Sequence, residues 1–264
     1  MLTLVDKPVI QYGVEEAVGS GITNIVLVTS RGKTAMEDHF DISSDLESLL
    51  ASRGKTDLLD EVRRVSGLAD VSSVRQGEPL GLGHAVLVAR PLVGNEPFAV
   101  ILPDDVIDAT PPALAQMIKV YEHVHGPVIL VERMPKDQIS KYGVIAHTPL
   151  GNGVYQITDL VEKPPADQAP SDLAIIGRYI LTPDIFEALD ATGKDRAGEI
   201  QLTNGLKRLL KDRPLFACEI DGVRHDAGNK LGFLKATAYF ALRRPDVAEA
   251  FRAYIEAELR TLSR

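Results

Sequence analysis

The stretch Phe98-Ala99-Val100-Ile101-Leu102 is a short unbroken apolar run, and Pro103-Asp104-Asp105 ends it. Five apolar residues closed by a turn signal read as a strand buried on both faces. Ile25 to Thr29 and Val128 to Glu132 are runs of the same kind, and Val71 to Val74 is a shorter one. Segments of helical periodicity separate them: Thr34 to Phe40, Asp45 to Arg53, Asp57 to Val65, His84 to Ala89 and Ala113 to Val124. Before them, Lys7 to Ala17 reads as a helix with Asp6 as candidate cap and Pro8 in its first turn. Alternating strands and helices predict an α/β chain with a mixed, mostly parallel sheet covered on both faces.

The pattern changes after Glu132. Gly143 to Thr148 and Gly153 to Asp159 flank Pro149-Leu150-Gly151-Asn152, a hairpin signal. Leu173 to Leu181 is a longer strand, followed by helices over Pro183 to Leu189 and Ile200 to Leu210. Leu215 to Ile220 alternates like an edge strand, and amphipathic helices over Lys230 to Leu242 and Val247 to Leu262 complete the pattern.

The 264 residues carry 29 Lys plus Arg against 37 Asp plus Glu, a net charge of −8. A field of that sign disfavours nucleic acid as a partner, so any polyanionic ligand must be held by a local cluster or a metal. Cys218 is the single cysteine, which rules out a disulfide framework and fits a reducing, cytoplasmic setting. No apolar run approaches the ~20 residues that span a bilayer, so no membrane partner is expected. Met1 to Lys7 has neither the basic nor the apolar region of a secretory signal.

Ligands of open α/β sheets bind at the carboxyl ends of strands, so the residues after each strand matter most. After Val71 to Val74 comes Arg75-Gln76-Gly77-Glu78-Pro79-Leu80-Gly81-Leu82-Gly83-His84. Such a turn lets backbone approach a flat ring or a phosphate, and a Gln amide can read a pyrimidine edge; a ligand-free strand-to-helix turn has the same look. Asp104 at a strand end suits Mg²⁺, which takes one or two carboxylates plus substrate phosphates, although an Asp-Asp pair also serves as a cap or Asx-turn. Glu162-Lys163, ahead of Pro164, couples a group for sugar hydroxyls with one for phosphate, or is a surface ion pair. Asp226, in His225-Asp226-Ala227-Gly228-Asn229, could complete the metal site begun by Asp104. Signatures for a P-loop, a nucleophile elbow, a zinc protease and a cysteine pair are all missing.

Taken together, Leu-Val-Asp-Lys-Pro (4–8), Gly-Ile-Thr (21–23), Arg-Gln-Gly (75–77), Gly-Leu-Gly-His-Ala (81–85), Leu-Pro-Asp-Asp (102–105), Tyr-Gly-Val (142–144), Val-Glu-Lys-Pro (161–164), Ile-Gly-Arg-Tyr (176–179), Glu-Ile-Gln-Leu-Thr (199–203) and His-Asp-Ala-Gly-Asn-Lys (225–230) resemble the bacterial UTP–glucose-1-phosphate uridylyltransferases. The resemblance runs through essentially the whole chain. It implies the Rossmann-like nucleotide-sugar pyrophosphorylase fold, with a β-rich sugar-binding part. It implies a single nucleotidyltransferase domain, with a nucleotide-binding half (1–132), a sugar-binding half (133–228) and C-terminal helices (229–264). It also implies the formation of UDP-glucose and pyrophosphate from UTP and glucose 1-phosphate, with Mg²⁺ as cofactor and a homodimer or homotetramer as the assembly. Carried over by motif, Gln76 and Gly81 contact uracil, and Asp104 binds Mg²⁺ near the ribose. Gly143, Glu162 and Gly177 hold the glucose, Lys163 meets its phosphate, and Asp226 is the second metal carboxylate.

The sequence departs from the family pattern at its start. The family carries a first strand and a Gly-x-Gly-Thr-Arg loop around the triphosphate before Leu-Val-Asp-Lys-Pro, and neither is present in these 264 residues. Thr3 stands where Pro is usual and Asn204 where Asp is usual. The expectation that follows is reduced turnover, with a UDP-glucose-binding chain of impaired catalysis as one alternative and a thymidylyltransferase for the same sugar phosphate as another.

Overall fold

In the computed structural model, which describes residues 1–262, the chain opens with a minimal hairpin, β1 (Thr3–Leu4) and β2 (Lys7–Pro8), and helix α1 (Val9–Gly19). Strand β3 (Asn24–Thr29), helices α2 (Thr34–Asp38), α3 (Ser44–Ser52) and α4 (Thr56–Ser66), and strand β4 (Asp70–Arg75) follow. Next come α5 (Leu82–Val93), β5 (Phe98–Ile101), β6 (Asp105–Asp108), α6 (Ala113–Val124) and β7 (Val128–Arg133). The hairpin β8 (Gly143–Gly151) and β9 (Val154–Glu162) leads to β10 (Leu173–Leu181), α7 (Asp184–Asp190) and α8 (Leu202–Leu209). Strands β11 (Leu215–Glu219) and β12 (Val223–Asp226) precede α9 (Lys230–Ala241) and α10 (Ala248–Leu262).

The central sheet has the order β5-β10-β7-β11-β9-β8. Residues of β7 alternate between its faces, as a pleated strand requires. Ile129 and Val131 pack with Phe186, Leu189 and Leu206 of α7 and α8, whereas Val128 and Leu130 pack with Leu114 and Met117 of α6. All four are fully buried, so the sheet is covered on both faces, as the alternating pattern predicts.

Within this mixed sheet the parallel share is smaller than expected. β7 runs parallel to β11, and β3 to β4 in a separate two-stranded ribbon, while β10 lies antiparallel to both β5 and β7. The chain reaches β10 from the β8–β9 hairpin and not through a helical crossover, so β10 enters in the reverse direction. Leu215 to Glu219 is an internal strand between β7 and β9 and not an edge, because its alternation comes from two packed faces of unequal cover. Asp6 caps nothing: α1 starts at Val9 after Pro8, and the Asp6 carboxylate pairs with Arg244.

The pairing of β6 with β12 has no local signal, since both segments are four residues long and of mixed polarity. Among the described residues no helix is long and apolar enough to cross a membrane.

Candidate active site

The β6–β12 ribbon is antiparallel, and its register sets Asp226 opposite Asp105. Asp104 is therefore a near neighbour of Asp226, and the Ala227 N–H donates to the Asp104 carbonyl at 2.8 Å. A methyl group on Gly228 would lie 3.0 Å from Asp104 Oδ2 and 3.1 Å from Asp226 Oδ1, so the two carboxylates flank one small opening. Asp226 is held by the Gly228 N–H and by Asn229 Nδ2, each at 2.9 Å. Asn229 in turn caps α9 by accepting from the Gly232 N–H. The Asp-Ala-Gly-Asn segment is thus both a helix cap and the support of a carboxylate.

This pair fits a hard divalent cation that takes oxygen ligands from the protein and from phosphates. Among the described residues no group of three or more His, Cys, Asp and Glu could enclose an ion alone. An ion here would therefore complete its shell with substrate oxygens and water.

The glycine turn lies on the other side of the cleft. The Gln76 N–H donates to Thr29 at the end of β3, and its amide Nε2 donates to the Gly81 carbonyl at 3.1 Å while lying 3.1 Å from His84 Nδ1. Gly81 has φ +89°, and a Cβ there would meet Glu199 Cβ at 2.9 Å and the Ile200 carbonyl at 3.0 Å. Backbone bonds from Gly83 to Ile200 and from Ile200 to Leu80 staple the turn to Glu199-Ile200. Packing against that distant segment, together with the left-handed φ, is what demands glycine at 81.

Between these groups lies a pocket of about 270 Å³ whose walls include Gly143, Glu162, Lys163, Gly177, Glu199 and Thr203. Its size approaches the lower range of small-molecule sites, roughly 300 Å³. Gly143 and Glu162 are register partners across β8 and β9. Glu162 Oε2 accepts from the Thr203 hydroxyl at 2.7 Å, and Oε1 lies 3.5 Å from Lys163 Nζ. Lys163 is exposed and takes a left-handed backbone, φ 45°, its N–H donating to the Tyr142 carbonyl at 3.1 Å. At Gly177 a Cβ would stand 2.7 Å from Asp105 Oδ2 and 2.9 Å from Leu102 Cβ, so only glycine lets β10 lie this close to the acid turn. A larger cavity of about 490 Å³ between α9 and α10 shares no residue with this site and is mostly apolar.

Of the eight residues singled out in the sequence, four line the smaller pocket and four stand in two groups next to its walls. Gly143, Glu162, Lys163 and Gly177 line the pocket, Asp104 and Asp226 face each other, and Gln76 and Gly81 form a turn that touches the pocket wall at Glu199.

Supporting residues were missed. Arg178, fully buried in β10, donates to Glu16 and to the carbonyls of Leu102, Gly177 and Asp105. An arginine inside the nine-residue apolar run Leu173–Leu181 was a legible signal, since a buried charge needs a partner. Arg224 pairs with Asp105 at 2.5 Å and reaches Glu132 at 3.4 Å. Burial raises the carboxyls of Asp105 and Glu132 above the ordinary range, against the pull of Arg224. Burial also opposes the charge of Arg224, but the Asp105 carboxylate outweighs it and holds the guanidinium firmly protonated. Thr203 ends the Glu-Ile-Gln-Leu-Thr segment (199–203) but has no role assigned to it there, and nothing local in the sequence marks Arg224.

The chain matches the family described as nucleotidyl transferase over residues 1–241. It is 44% identical over 259 residues to the UTP–glucose-1-phosphate uridylyltransferase of Bacillus subtilis (strain 168), covering 98% of this chain and 89% of that protein. Its fold is similar to that of a UDP-glucose pyrophosphorylase complexed with UDP-glucose: TM-score 0.85, 42% identity, 92% of this chain and 90% of that one. The UTP-bound enzyme from Acinetobacter baumannii is similar at TM-score 0.90 and 38% identity, over 97% and 90% of the two chains.

Proposed function

The chain belongs to the nucleotidyl transferase family as one of its UTP–glucose-1-phosphate uridylyltransferases, and we propose the following roles for its residues in forming UDP-glucose and pyrophosphate. The reaction needs no protein nucleophile. An oxygen of glucose 1-phosphate attacks the α-phosphorus of UTP in line, pyrophosphate leaves, and the site supplies alignment and charge neutralisation.

Gln76 and the backbone at Gly81 read the uracil edge. Glu162 accepts from glucose hydroxyls, with Gly143 and Gly177 leaving room for the ring and Lys163 countering the sugar phosphate. Asp104 lies towards the ribose and, with Asp226, holds Mg²⁺. When bound, that ion neutralises phosphate charge, which the net −8 of the chain makes necessary. The observation that supports this arrangement best is the meeting of pocket and acid turn at Gly177, 2.7 Å in Cβ terms from Asp105.

Residues 1–132 then serve the nucleotide and 133–228 the sugar, and the helices α9 and α10 follow them. Exposed Leu231, Leu234 and Tyr254 on those helices support a homodimer or homotetramer formed through them. The lone Cys218 suits a cytoplasmic setting.

The test is pyrophosphate release from UTP and glucose 1-phosphate with Mg²⁺. Release with UTP well above that with dTTP is expected, and preference for dTTP would overturn the uracil assignment. Lys163→Ala and Asp226→Ala should weaken UDP-glucose binding, the second more strongly when Mg²⁺ is present. Unchanged titration curves for both would overturn the site assignment.

A further inference from the structure

We propose that Arg224 is a positioning residue that neutralises Asp105 at the pocket wall and locks the acid ribbon to the sugar side of the cleft. The inference rests on the roles assigned above to Asp104, Asp226 and Lys163.

The guanidinium is 6% exposed and its contacts come from three other segments. Nε donates to Asp105 Oδ1 at 2.5 Å on β6, and Nη1 reaches Glu132 Oε2 at 3.4 Å at the end of β7. Nη1 also lies 3.5 Å from the Tyr142 hydroxyl, and the guanidinium carbon is 5.0 Å from the centre of that ring, ahead of β8. Arg224 itself and two of its three partners border a site residue. Arg224 is two residues before Asp226, Asp105 follows Asp104, and Tyr142 precedes Gly143 and accepts the Lys163 N–H.

The two oxygens of Asp105 divide the work. Oδ1 meets Arg224, and Oδ2 points at Gly177, where Asp105 lines the pocket. A carboxylate in the wall of a pocket for a sugar phosphate repels its ligand unless a cation fixed behind it compensates. A buried charge whose partner is removed keeps its full penalty. Arg224 is that cation, and its planar fork spans Asp105, Glu132 and Tyr142 at once.

The experiment compares Arg224→Gln, Arg224→Lys and the double variant Arg224→Gln/Asp105→Asn in the full chain. KM for glucose 1-phosphate, KM for UTP, kcat, Mn²⁺ affinity and melting temperature are measured for each. Arg224→Gln should raise KM for glucose 1-phosphate by about tenfold or more while KM for UTP moves less, since uncompensated charge at a binding wall costs at least ~1.4 kcal/mol. Restoring charge balance, by Arg224→Lys or by the double variant, should bring that KM back to within about threefold of the parent, the cycle isolating the pair. Mn²⁺ affinity should fall in Arg224→Gln as the ribbon loosens.

A fall in melting temperature with both KM values unchanged, or a double variant no better than Arg224→Gln, would overturn the proposal. If Arg224→Gln does not fold, a tenfold rise in KM for glucose 1-phosphate in both charge-balanced variants overturns it equally. UDP-glucose binding by the unmodified chain, followed by calorimetry, separates the two layers. No binding at all counts against the assigned reaction, while equal binding by every variant counts only against Arg224.

Discussion

Glu16 and Arg178 form a buried ion pair, Arg178 Nη2 to Glu16 Oε2 at 2.8 Å, between α1 and the middle of β10. Glu16 also accepts the Leu114 N–H, while Arg178 holds the carbonyls of Leu102 and Asp105. The turn that carries Asp104 is therefore anchored from beneath by its backbone, and α1 and α6 are tied to the same point.

Breaking this pair on one side leaves a charge without compensation in the core. Glu16→Gln should lower unfolding free energy by about 3–5 kcal/mol in urea titrations. The double replacement Glu16→Met/Arg178→Leu should cost less than Glu16→Gln alone, because no charge is then stranded. A larger loss in the double variant would show that the bonds to the turn matter more than the charges.

Gly177→Ala puts a methyl group 2.7 Å from Asp105 Oδ2, closer than real Cβ contacts come. Either β10 or the acid turn must move, so a sharp rise in KM for glucose 1-phosphate is expected from initial-rate measurements. Gly193→Ala, where a Cβ meets nothing within 4 Å, is the control and should leave kinetics unchanged.

The Thr203 hydroxyl orients Glu162 from the far side of the pocket. A hydrogen bond to a charged acceptor contributes about 1.5–3 kcal/mol, so Thr203→Val should weaken UDP-glucose binding by about tenfold or more, as measured by calorimetry. Thr203→Ser retains the hydroxyl and should bind like the parent. Equal weakening in both would point to packing of the Thr203 methyl group.

Burial, helped by the Glu219 carboxylate, pushes the Cys218 thiol up to about 11 from an ordinary value of 9.0. A raised folded-state value stabilises below the unfolded value and loses that contribution as pH rises through the folded one. The part of stability due to Cys218 should therefore be constant below pH 9.0 and decline towards about 11. Urea midpoints between these limits should fall more steeply for the parent than for Cys218→Ala.

Much of this molecule is written in its local sequence. Leu173–Leu181 and Ala113–Val124 form as periodicity predicts, since a continuous apolar run or a regular apolar stripe has one favourable way to be buried. The acids, glycines and lysine of the cleft could likewise be picked out as residue types suited to phosphate and sugar.

Which of them meet is decided by tertiary structure. The Val223–Asp226 strand carries no β signal of its own and exists because it pairs with Asp105–Asp108, bringing Asp226 beside Asp104 across more than a hundred residues. The direction of β10, the internal place of β11 and the guanidiniums of Arg178 and Arg224 behind the cleft have the same origin. Local chemistry determines what each segment can do; long-range pairing and the need to compensate buried charge determine which segments do it together.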